Sequence, residues 1–93
     1  MNAAKKITVA IPINLASLVH NFVMEWVYLP FPYKMKIRDE VLNGNADTVL
    51  ELVNTIEERL KEFREFPNNF ESEVTQYSFL HASLLALLDE VTT

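Results

Sequence analysis

From residue 13 onward, apolar side chains recur at helical spacing in successive stretches. Leu15, Val19, Phe22, Trp26 and Leu29 step by four and three, with Leu18, Val23 and Val27 widening the face, and this predicts a helix over 13–29. The run Pro30-Phe31-Pro32 stops it, because each ring removes a donor and biases the preceding residue away from the α region. A short helix over 33–43 follows. Gly44 stands where a left-handed residue would close that helix, and Asn45, Asp47 and Thr48 offer N-caps for the next, with Thr48 and Glu51 in capping-box spacing.

The third helix is expected over 47–66, where Val49, Val53, Ile56, Leu60 and Phe63 form the apolar face. Glu51, Glu58, Glu62 and Glu65 fall on the opposite side, and Glu57 is four residues from Lys61, the spacing of a helical ion pair. A fourth helix is expected over 71–91, capped by Asn68 or Asn69. Glu71 and Glu73 lie near its positive end, and Phe70, Val74, Tyr77, His81, Leu84, Leu88 and Val91 repeat along it. Ahead of the helices, Ile7, Val9 and Ile11 alternate with Thr8 and Ala10, the signature of a strand or extended arm within residues 1–12. The fold class implied is all-α: a small single-domain bundle of three longer helices and one short one behind an N-terminal arm.

Between Tyr77 and Leu88 apolar groups cover most of the fourth helix's circumference, more than one neighbouring helix can bury. Tyr77, Leu80, His81, Leu84 and Leu88 are therefore the expected seam of a homo-oligomer.

Composition narrows the chemistry. The chain has 93 residues, 49% of them hydrophobic, with a single glycine and no cysteine. Gly-rich phosphate loops, disulfides, thiolate metal sites and cysteine nucleophiles are excluded together, and the absence of cysteine suits a cytoplasmic location. The net charge of -5 is unevenly distributed: residues 1–38 hold five cations against one carboxylate, and residues 39–93 hold three cations against twelve. A uniformly basic nucleic-acid footprint is absent. Residues 7–33 contain one charge, yet Asn14, Ser17, Asn21 and Glu25 line a polar strip, and the prolines limit the helix to about 17 residues, short for a bilayer. A membrane partner is not expected.

Neither His20 nor His81 has a metal-ligand companion one helical turn away, so no catalytic, metal or cofactor-binding residue is expected. Two constellations remain. Tyr33, Lys34, Lys36 and Arg38, following Trp26, Tyr28 and Phe31, offer aromatic faces and cations to a nucleotide or single strand. Spacings of two, however, separate alternate cations by about 200° on a helix. The stripe Glu51, Glu58, Glu62 and Glu65 offers carboxylates to a basic protein partner. The leading expectation is a non-catalytic regulatory or inhibitory module, similar in size and charge to immunity proteins and phage-encoded inhibitors, that binds another protein through this acidic face.

The opening Lys6-Ile7-Thr8-Val9-Ala10-Ile11-Pro12, followed by Leu15, Leu18 and Val19, resembles the first strand and helix of ribbon-helix-helix DNA-binding proteins over about the first quarter of the chain. The resemblance implies a dimeric DNA-binding regulator or antitoxin, with Thr8 and Ala10 placed as base-reading residues.

Overall fold

The computed structural model of the chain describes residues 14–93. Over them the periodic stretches form four α-helices: α1 (Leu15–Trp26), α2 (Phe31–Leu42), α3 (Ala46–Arg64) and α4 (Glu71–Thr92). The arm expected over residues 1–12, with Thr8 and Ala10, lies outside the described residues. Consecutive helices pack side by side and α1 closes against α4. The pairs Met24–Lys34 and His20–Arg38 make α1 and α2 antiparallel, as Glu57–His81 and Arg64–Ser78 do for α3 and α4. The core takes Val19, Phe22 and Val23 from α1, Val41 from α2, Val49, Val53, Ile56 and Phe63 from α3, and Tyr77, Leu80 and Leu84 from α4. Each such burial contributes about 1.5–3 kcal/mol before chain entropy is set against it.

Helix α1 is shorter than its periodicity predicts. Pro30 has no N–H to donate to Trp26 O and disfavours helical geometry at Leu29 before it, and the chain leaves the helix at Val27, with φ -101° and ψ 119°. The freed carbonyls find cations: Lys34 Nζ donates to Met24 O at 2.7 Å and Arg59 Nε donates to Trp26 O at 3.1 Å. Both sit where the helix dipole is negative. Helix α2 begins earlier than expected, because the prolines that end α1 also suit a helix start. Pro30 is its N-cap and accepts from the N–H groups of Tyr33 and Lys34, while Pro32 lies in the first turn, where a missing N–H costs nothing.

The α2–α3 connection is a Schellman turn. Gly44 has φ +80°, its N–H donates to Val41 O at 3.0 Å, and the Asn45 N–H donates to Glu40 O at 2.9 Å. Asn45 then caps α3, its Oδ1 accepting from the Thr48 N–H at 3.0 Å. The capping box expected of Thr48 and Glu51 is not formed, because Thr48 is already inside the helix and buried. Its hydroxyl donates instead to Glu40 Oε1 at 2.7 Å, tying α3 to the end of α2. At α4 the expected Asn68 or Asn69 cap is likewise replaced. Phe70 occupies the N-cap without a side-chain bond, because its ring is held against Trp26 and Phe63 at 6.0 and 4.9 Å between centroids.

A β-carbon at Gly44 would stand 3.2 Å from Val91 Cγ1 and would force a left-handed backbone on an L side chain. Gly44→Ala is therefore expected to cost about 1–2 kcal/mol, seen as a lower urea midpoint with an unchanged slope. A wild-type midpoint would mean that this turn does not hold α2 to α3.

Candidate protein-binding face

Helix α3 turns its apolar side to the core and leaves its outer side acidic. Glu51, Glu58, Glu62 and Glu65 are all exposed, as their spacing requires. They are not equivalent. Arg59 Nη1 reaches Glu62 Oε2 at 2.7 Å, whereas no described residue pairs with the carboxylates of Glu51, Glu58 or Glu65. The expected Glu57–Lys61 pair is corrected. Glu57 Oε2 lies 2.8 Å from His81 Nε2 on α4, because the helix that packs alongside brings the imidazole nearer than the lysine on Glu57's own helix.

Arg59 was not singled out by the sequence, yet it organises this side of the molecule. Besides Glu62 and the Trp26 carbonyl, its guanidinium lies over the Tyr28 ring, 4.5 Å from the centroid. The contact orients the Val27–Pro30 connection, whose Leu29 remains 45% exposed. Beside it, a cleft of about 340 Å³ opens between α2 and α3, lined by Val27, Leu29, Ile37 and Leu52, with Glu51, Asn54 and Thr55 at its edge. The apolar cleft and the acidic stripe share the α3 surface. No periodicity marks such a cleft, since its walls come from three separate segments.

The aromatic and basic residues near α2 differ in their surroundings. The Lys34 ammonium is engaged by Met24 O. Arg38 donates to Asp39 Oδ1 at 2.9 and 3.1 Å and to His20 Nδ1 at 3.2 Å, which leaves the His20 ring proton on Nε2. Lys36 and Tyr33 are exposed, and Trp26 is held in the aromatic cluster. Lys34 and Arg38 thus have partners within the fold, while Tyr33 and Lys36 stand exposed. Among the described residues, no group of three or more His, Asp or Glu side chains could hold a metal ion. No described helix is long and apolar enough to cross a membrane.

The oligomer seam expected on α4 is also corrected. Tyr77, Leu80 and Leu84 are buried inside this chain, Leu88 packs against the same core, and His81 is half-buried beside Glu57. The face assigned to a second copy is taken up by α1 and α3, which approach α4 from two sides. What α4 leaves outward instead is Phe79 and Leu85, 49% and 44% exposed.

Comparison of the chain with protein-family models, with curated proteins and with solved structures finds no match.

Among the described residues, Tyr77 carries the one titration the fold clearly perturbs. Burial of the phenol raises its pKa above 10.0, the nearby charges of Glu25 and Glu73 add to the effect, and the Trp26 indole acts the other way. Burial of the phenol prevails. Because the folded pKa lies above the unfolded one, the stability involved is whole below about pH 10 and is lost as pH rises through the folded value. Tyr77→Phe should match the wild type in urea midpoint at pH 8 and lose less of it toward pH 11. Parallel decline of the two proteins would contradict this assignment.

Proposed function

We propose that the chain is a non-catalytic module that binds another protein through the outer face of α3 and thereby regulates or inhibits it. The observation that carries this reading is the state of the carboxylates: Glu51, Glu58 and Glu65 are exposed and form no ion pair within 4 Å among the described residues, while Arg59 is drawn to the Trp26 carbonyl and Glu62. Exposed, unpaired carboxylates lose little on meeting a cationic surface, and they steer it on approach. Lys34 and Arg38, two of the three α2 cations that could serve phosphate recognition, are already engaged within the fold, which leaves Lys36 as the exposed cation of that set and weighs against a nucleic-acid partner. A soluble binding role also accords with the acidic balance of residues 39–93.

The test is charge reversal. A variant with Glu51→Lys, Glu58→Lys and Glu65→Lys should keep the wild-type far-ultraviolet circular dichroism, since all three side chains are solvated. Size-exclusion chromatography of each protein with the partner identified by affinity capture and mass spectrometry should show a complex for the wild type alone. A complex of equal affinity with the folded variant would remove the acidic face from the interaction.

A further inference from the structure

Asn43 and Gly44 form the one asparagine-glycine pair in the chain, and Gly44 is its one glycine. The pair has a chemistry of its own. The backbone nitrogen that follows an asparagine can attack the side-chain amide carbon, closing a five-membered succinimide and expelling ammonia. A side chain on the attacking residue crowds that ring, and glycine has none. Every other asparagine in the chain precedes a residue that carries a β-carbon.

The fold presents the electrophile and withholds the nucleophile. Asn43 is exposed at the C-cap of α2. The Gly44 N–H donates to Val41 O at 3.0 Å, and the next N–H, of Asn45, donates to Glu40 O at 2.9 Å. Asn43 has φ -88° and ψ 0°. At that ψ the Gly44 nitrogen eclipses the nitrogen of Asn43 itself and stands about a third of a turn from Cβ, whereas ring closure must bring it alongside Cβ. Attack thus requires rotation about the Asn43 Cα–C bond. That rotation breaks both hydrogen bonds of the Schellman turn.

We infer that Asn43 is a site of non-enzymatic deamidation, paced by opening of the α2–α3 turn, whose products loosen that turn in return. The Gly44 nitrogen gives its proton to hydroxide and bonds to Asn43 Cγ; the C–N bond of the side-chain amide breaks and ammonia leaves. Water then opens the ring at either carbonyl, giving aspartate or isoaspartate, so one amide and one water become one carboxylate and one ammonium. Either product sets a negative charge at the negative end of the α2 dipole. Isoaspartate also routes the main chain through Cβ, adding an atom between two residues whose spacing the turn's hydrogen bonds require. Val91 of α4 closes over this turn, 3.2 Å from where a Gly44 β-carbon would stand, so the loosening reaches the end of α4.

The folded protein is incubated for several weeks at mildly alkaline pH beside the same chain in concentrated urea, and peptide mass spectrometry locates each gain of one dalton. In urea, Asn43 should react at least about tenfold faster than any other asparagine, and folding should slow it by at least about tenfold. Hydrogen exchange at the Gly44 and Asn45 amides should show protection that matches this slowing within about threefold, since one opening governs both. Asn45→Ala, which removes the α3 cap beside the turn, should speed the reaction of the folded protein by about fivefold, and Asn43→Gln should suppress it. The deamidated protein should have a lower urea midpoint than the unmodified one.

Faster reaction at another asparagine, equal rates with and without urea, or no detectable reaction in the folded protein would each overturn the inference. A rate indifferent to Asn45→Ala and unrelated to amide protection would refute the pacing by the turn. A deamidated protein with the unmodified midpoint would refute the loosening.

Discussion

The ring of Phe63 meets Trp26 edge-on at 4.7 Å, lies tilted against Phe70 at 4.9 Å and approaches Tyr77 at 6.4 Å. Three segments therefore take their position from one side chain near the end of α3: the last residue of α1, the N-cap of α4 and the second turn of α4. Truncating a ring packed in this way costs about 3–5 kcal/mol. Its effect reaches the surface. With Trp26 held there, the terminal carbonyl of α1 comes within reach of Arg59, one turn before Phe63, and Arg59 in turn stacks on Tyr28 and shapes the wall of the cleft. The course of the chain between α1 and α2 thus depends on a contact made in the interior.

Cations and carboxylates are treated differently by this fold. Lys34 and Arg59 are bound to backbone carbonyls at the end of α1, and Arg38 to Asp39. These cations are therefore engaged by local acceptors, whereas Glu51, Glu58 and Glu65 face solvent, and a partner approaching α3 meets them together with the exposed Lys61 and Arg64.

Much of this arrangement could be read from the residues. Apolar positions at intervals of three and four located α1, α3 and α4, since burial of one face is what stabilises a helix of this length, whereas α2, which buries only Val41, was bounded by the prolines before it and Gly44 after it. Gly44 marked a left-handed turn because an L side chain is strained there. The exposure of Glu51, Glu58, Glu62 and Glu65 followed from their angular position on α3. Whatever depended on residues distant in the chain stayed hidden. Tyr77, Leu80 and Leu84 had the look of an intermolecular seam, because nothing local reveals that α1 and α3 flank α4 together. Glu57 carried no sign that its partner would be His81, 24 residues away, in place of Lys61. The choice of Asn45 over Thr48 as cap turned on Glu40, which lies on a different helix and competes for the Thr48 hydroxyl.

The brevity of the connections has a kinetic side. Only residues 27–30, 43–45 and 65–70 lie between the helices, so each helix finds its next neighbour by closing a short loop, at small entropic cost. The closure of α1 onto α4 is different: Phe22 and Tyr77 meet across most of the described chain. Topologies dominated by local pairings cross low folding barriers. In this one the expensive loop is closed by an aromatic pair, the contact best able to reward it.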